Sequence, residues 1–140
     1  MTDKPCILLV EADFAIRHPL AEYLRECGYK VIEAVSNDEA VALMSDDTFR
    51  IDVVLSGVKN PGRLDAFALA QWVRENDSRA KMVLAATPAK EAEKATQLCQ
   101  DGPEGDKPYD HKGLLDRVRQ LMARRDRASA HIRSLPAGPN

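Results

Sequence analysis

Cys6-Ile7-Leu8-Leu9-Val10-Glu11-Ala12-Asp13 is the stretch that decides the fold. Five apolar residues run without a polar break, as in a strand buried on both faces of a sheet, and the run stops abruptly at two acids around Ala12. Carboxylates therefore stand at the C-terminal end of a central strand. Working outward, Ile16, Leu20, Leu24 and Cys27 fall on one helical face and Gly28 supplies a stop. Pro19 is awkward within that helix, because it cannot donate its backbone hydrogen bond. Lys30 to Val35 reads as a second strand, and Ser36-Asn37-Asp38-Glu39 as a capping box opening a helix through Ala40, Leu43 and Met44. Ile51 to Ser56 is a third strand. A loop with Pro61-Gly62 follows, then a helix with Ala66, Leu69 and Val73 inward, then a fourth strand, Met82 to Ala86.

Strands alternating with helical stretches predict an α/β fold with a parallel, doubly wound sheet. Beyond the fourth strand, Ala92, Ala95, Leu98 and Cys99 form a small-residue helical face. A fifth strand should come next, but Asp101-Gly102-Pro103-Glu104-Gly105-Asp106 has loop chemistry. Asp110 is the expected N-cap of a last helix carrying Leu114, Leu115, Val118, Leu121 and Met122 on one face. After about Asp126 the apolar period fades, so 1–125 is read as one domain and 126–140 as a disordered tail.

The chain has 140 residues, 44% of them hydrophobic and 30% charged, which suits a single soluble domain and excludes fibrous and disordered classes. No stretch approaches the roughly 18 apolar residues of a membrane span, so a cytoplasmic location is expected. Cys6, Cys27 and Cys99 are odd in number and scattered, and are expected to be reduced, mostly structural thiols. The net charge of -2 hides an asymmetry: residues 1–113 hold 14 Lys/Arg against 20 Asp/Glu, net -6, whereas 114–140 hold 6 Arg against 2 Asp, net +4. Arg124, Arg125 and Arg127 could touch nucleic acid or an acidic partner, but an arginine-rich final helical turn also complements the helix dipole with no partner at all, which is the favoured reading.

In open α/β sheets ligands bind beyond the carboxyl ends of the strands, where Glu11-Ala12-Asp13, Gly57, Thr87 and Lys107 are expected to converge. Taken in order with Asp52-Val53-Val54-Leu55, Pro61-Gly62 and Lys107-Pro108-Tyr109-Asp110, this set resembles the receiver domain of bacterial two-component response regulators over about residues 5–123. The resemblance implies a flavodoxin-like (βα)5 fold with sheet order 2-1-3-4-5, whose fifth strand is here short or degenerate. It also implies an aspartate that accepts a phosphoryl group at the end of the third strand, two acids holding Mg²⁺, and a Thr and a Lys around the phosphoryl oxygens.

Carried over residue by residue, these roles are only partly filled. Counting back four from Pro61 puts Gly57 at the phosphoacceptor position, where there is no side chain to form an acyl phosphate. Ser56 is next door, but strand alternation points it to the opposite face. Glu11 remains as a residual metal-binding acid while Ala12 stands at the second acidic position, so Mg²⁺ binding is expected to be weak or absent. Thr87 and Lys107 match. Glu104 stands at the aromatic switch position, in a segment about two residues short of the family's.

The expectation is a single-domain pseudo-receiver in phosphorelay signalling, not an enzyme, acting by protein–protein interaction. Its partner would be a histidine kinase, a phosphotransfer protein or another regulator, with a homodimer as an open alternative. Two rival readings stand beside it: a conventional phosphoacceptor using another residue, and nucleic-acid or membrane contact through the arginine segment. With two carboxylates gone, Glu11 and Lys107 are expected to pair directly.

Overall fold

The computed structural model describes residues 4–60, 62–77, 79–105, 107 and 109–134, with side chains as far as 128. Pro61 of the predicted loop, Asp106 and Pro108 of the predicted fifth-strand segment, and 135–140 of the predicted tail lie outside it. Four strands, β1 (Cys6–Val10), β2 (Lys30–Ala34), β3 (Val53–Gly57) and β4 (Lys81–Ala85), form a parallel sheet in the order β2-β1-β3-β4. β1 pairs with β2 from Cys6–Lys30 to Val10–Ala34 and with β3 from Ile7–Val53 to Val10–Ser56. Flanked on both edges and both faces, its five residues are all buried, which is why the run is apolar throughout.

Local chemistry sets the helix boundaries. Asp13 caps α1 (Phe14–Glu26) by accepting from the Ala15 amide at 3.0 Å, and Gly28, at φ +96°, ends it in a left-handed turn. The helix runs through Pro19, at the cost of one backbone bond. Ser36 caps α2 (Asn37–Met44) through the Glu39 amide at 3.1 Å, and Asp65 caps α3 (Ala66–Asn76) through that of Ala68. Thr87 caps α4 (Pro88–Asp101), and the Asp110 carboxylate accepts from Gly113 N at 2.9 Å at the head of α5 (His111–Ser134).

The helices cover the two faces unequally. Leu8, Val10 and Val54 pack under Ala40 of α2 and Leu69 and Val73 of α3. Ile7, Leu9, Val53 and Leu55 meet Ile16, Leu20 and Leu24 of α1, Ala92, Ala95 and Leu98 of α4, and Leu114 and Val118 of α5. α4 therefore lies on the same face as α1 and α5. Among the described residues no fifth strand follows it: Gly105 N is bonded to Gly102 O and Lys107 N to Glu104 O, each at 3.2 Å, ahead of α5. No helix among the described residues is long and apolar enough to cross a membrane.

Two expectations need correction. α5 continues past Asp126 to Ser134 instead of giving way to a tail there; residues 123–128 are exposed, and their Ala and Arg content sustains a helix after the apolar period has faded. The cysteines are not all thiols: Cys27 and Cys99 are joined by a disulfide, and Cys6 is the free, buried one. The 72 positions separating that pair hide the fact that α1 and α4 share a face and end at the same level.

Candidate functional site

β1 and β3 run side by side as far as the Val10–Ser56 pair, so the next residues along, Glu11 and Gly57, are neighbours at the C-terminal edge of the sheet. Side chains alternate along a strand, and Leu9 and Leu55 face α4. Glu11 and Gly57 therefore face α4 as well. Ser56 points the other way, fully buried, with its hydroxyl donating to Asn37 Oδ1 at 3.2 Å and accepting from Asn60 Nδ2 at 3.1 Å.

The residue that meets them is Glu91, in the first turn of α4 and only 1% exposed. A Cβ built on Gly57 would overlap Glu91 Oε1 and lie 3.6 Å from Glu11 Oε2. Gly57 is thus a place of close approach, where the absent side chain makes room for a carboxyl arriving from another element. A cavity of about 250 Å³ opens beside this contact, lined among others by Glu11, Gly57, Lys59, Thr87, Glu91 and Arg125.

The two carboxyls converge on the place a Gly57 Cβ would take, and Glu91 Oε2 is buried with no hydrogen-bond partner among the described residues. Burial drives the Glu91 carboxyl far above the ordinary range; the hydrogen bond to Glu11 and its charge push the same way, and Arg125 offsets them only in part. Burial thus favours the protonated form of Glu91 beside Glu11. Glu11 Oε1 also accepts from the Asp13 amide at 3.0 Å, so its charged form is met by a backbone dipole.

The other residues expected here divide. Thr87 is on the cavity rim, its hydroxyl engaged in capping by the Lys90 amide at 3.2 Å. Asp13 caps α1 and lies 3.7 Å from the Arg125 guanidinium. Ala12 is exposed and does not line the cavity.

Lys107 is elsewhere: its Nζ is 2.7 Å from Glu104 Oε1, in an exposed turn. Glu104 in turn rests on Gly28, just ahead of β2, at the end of the sheet opposite the site. The expected Glu11–Lys107 pair is therefore not formed. α4 carries the chain from the C-terminal edge of the sheet down to the other end, and among the described residues no fifth strand brings it back. α5 makes the return and brings Arg125 to the site, where Lys59 also lines the cavity.

Sequence reasoning passed over Glu91, although a signal existed. It heads the stripe Glu91, Ala95 and Leu98, at i, i+4 and i+7, on the buried face of α4. A glutamate on an otherwise apolar face has to find a partner inside.

Strand order and crossovers can now be set beside known proteins. A solved structure of the non-phosphorylated HemR receiver domain of Leptospira biflexa matches with a TM-score of 0.54 and 25% identity, covering 98% of this chain and 100% of that one. The fold is that of a receiver domain. Among curated proteins, the DNA-binding dual master transcriptional regulator RpaA of Synechocystis is 30% identical over 144 residues, covering 96% of this chain and 57% of that protein. The two-component response regulator-like APRR9 of Arabidopsis thaliana is 28% identical over 137 residues, covering 94% of this chain and 29% of that protein. The chain thus spans less than two thirds of both curated relatives, 57% of one and 29% of the other. No family model matches it. Response regulators and their receiver domains are what this receiver fold is similar to.

Proposed function

We propose that this chain is a pseudo-receiver of two-component signalling, a receiver-like module that binds another protein without being phosphorylated. The observation that carries this reading is the Glu91 carboxyl, lodged where a side chain on Gly57 would have to be. By its resemblance to receivers, position 57 is where an aspartate would take the phosphoryl group. Here that space holds the Glu91 carboxyl beside that of Glu11, so an incoming group bearing close to two negative charges would meet two acids and no room. Ser56, the nearest hydroxyl, is buried on the other face with its bonds already made.

The oxygen donors do not suit Mg²⁺. It requires hard oxygen ligands in a near-octahedral array, and the site offers Glu11 beside a carboxyl whose burial favours the protonated form. Among the described residues no group of three or more His, Cys, Asp and Glu could hold a metal ion. Weak or absent Mg²⁺ binding is part of this proposal.

Binding to protein is supported by what surrounds the site. Among the described residues Phe14, Val35 and Phe67 are the exposed large hydrophobic ones, and each follows the C-terminal end of a different strand. Phe14 also stacks on His18 with ring centroids 5.2 Å apart, and the Arg17 guanidinium lies 5.4 Å from its ring. An apolar rim interleaved with charge suits a histidine kinase, a phosphotransfer protein or another regulator docking over α1 and the strand-end loops. A cytoplasmic location goes with that reading.

Incubation of the full chain with acetyl phosphate and Mg²⁺, followed by intact mass, tests the proposal. No phosphoadduct is expected. An adduct of one phosphoryl group, released by hydroxylamine as an acyl phosphate would be, overturns it.

A further inference from the structure

α4 is the element on which the pocket depends, and different chemistry holds its two ends. At the first turn, Glu91 sits against Glu11 and Gly57. Two turns further on, roughly 12 Å along the axis at the usual helical rise, Cys99 is bonded to Cys27, the C-cap of α1. Both cysteines are fully buried, with Cα atoms 5.3 Å apart. Between these anchors α4 offers the core little more than Ala92, Ala95 and Leu98, and small side chains bury little apolar area. Among the described residues no strand follows to pin the far end, where the Cys27–Cys99 bond ties α4 to α1. Cys6 stands apart, on β1 in the other core cluster, and burial pushes its thiol up.

Resting on the reading of Glu91 as the group that fills the pocket, we propose that Cys27 and Cys99 form a thiol–disulfide modification site whose state sets how firmly α4 keeps that carboxyl in place. The oxidant is a low-molecular-weight disulfide. One protein thiolate attacks it, its S–S bond breaks and one small thiol leaves with a proton; the second protein thiolate then displaces the other small thiol, closing the Cys27–Cys99 bond. The balance is two protein thiols and one small disulfide giving one protein disulfide and two small thiols. A dithiol reductant runs it backwards.

Because both sulfurs are buried, exchange has to wait until the end of α4 lifts. Its cover there is Gly102 against the Tyr29 ring, the Tyr29 hydroxyl donating to Leu98 O, and Glu104 over Gly28. In a reducing compartment such a pair spends time as thiols, and α4 would then hold Glu91 by packing alone.

The test uses the full chain twice, once after oxidised glutathione and once after dithiothreitol, each examined by intact mass under denaturing, thiol-blocking conditions and by hydrogen exchange. The reduced form should be heavier by two hydrogens before blocking, and peptides within 88–101 should exchange at least about tenfold faster in it, with β1 unchanged. A Cys27→Ala/Cys99→Ala variant should match the reduced form under both treatments. Equal masses after the two treatments, or α4 exchange that is the same in both forms, would overturn the proposal. Acetyl phosphate applied to both forms separates the two readings: an adduct on each, with α4 exchange still redox-dependent, refutes the filled pocket and leaves the modification site standing.

Discussion

Gly57→Asp is expected to cost about 3 kcal/mol or more of stability at neutral pH and to yield no phosphoadduct with acetyl phosphate and Mg²⁺. The new Cβ overlaps Glu91 Oε1, and the new carboxylate is placed against the Glu91 and Glu11 carboxyls in a site served by one nearby guanidinium, Arg125. Overpacking and an uncompensated buried charge act together, and neither is relieved by Ala12→Asp, because position 12 is exposed and outside the cavity. The limiting residue is Glu91. Combining Gly57→Asp with Glu91→Ala should therefore recover at least about 1 kcal/mol relative to the sum of the two single changes, as coupled neighbours do. Urea denaturation of the three variants and the parent measures this. Strict additivity would mean that positions 57 and 91 do not compete for the same space.

The second large effect is in the pH dependence of stability. The folded Glu91 carboxyl lies far above its unfolded value of 4.5, mainly through burial and then through Glu11. Its stabilising contribution is fully present below about pH 4.5 and is lost as the pH rises toward the folded value, at up to about 1.4 kcal/mol per pH unit. The facing groups are Glu11 at the end of β1, Asp13 beyond it, Lys59 after β3 and Arg125 on α5, and only the last is close enough to offset the rise. Glu91→Gln keeps an uncharged side chain of nearly the same shape that can donate to Glu11, and it removes the titration. The variant should lie within about 1 kcal/mol of the parent near pH 5 and exceed it by about 2 kcal/mol or more near pH 8. Parallel stability curves for the two proteins would show that Glu91 does not titrate on unfolding.

Much of the fold was legible because its signals are local. Cys6 to Val10 reads as a doubly covered strand on apolarity alone, Gly28 as a helix stop, and Ser36 and Asp110 as caps. The loop composition of 101–106 argues against a strand there, and none forms among its described residues. What escaped were features that depend on the path of the chain. Lys107 is at the site only if a fifth strand climbs back along the sheet, so reading a fifth-strand position into the spacing misplaced it and hid Arg125, which α5 delivers instead. Glu91 and the Cys27–Cys99 bond both follow from α4 crossing to the face of α1, and no spacing along the chain reports that crossing. The glycine at position 57 was visible as a missing nucleophile. That it also makes room for a carboxyl from another helix could be seen only once the two elements were set together.

The protonation of Glu91 is the most direct test of the filled pocket, read as the ¹³C shift of its side-chain carboxyl in a pH titration with the Glu91→Gln variant providing the assignment. A signal that stays in the protonated range through neutral pH, unmoved by millimolar Mg²⁺, is the expected result. A carboxyl that titrates in the ordinary glutamate range near 4.5 and shifts on adding Mg²⁺ would mean an open, charged, metal-binding site, and would contradict it.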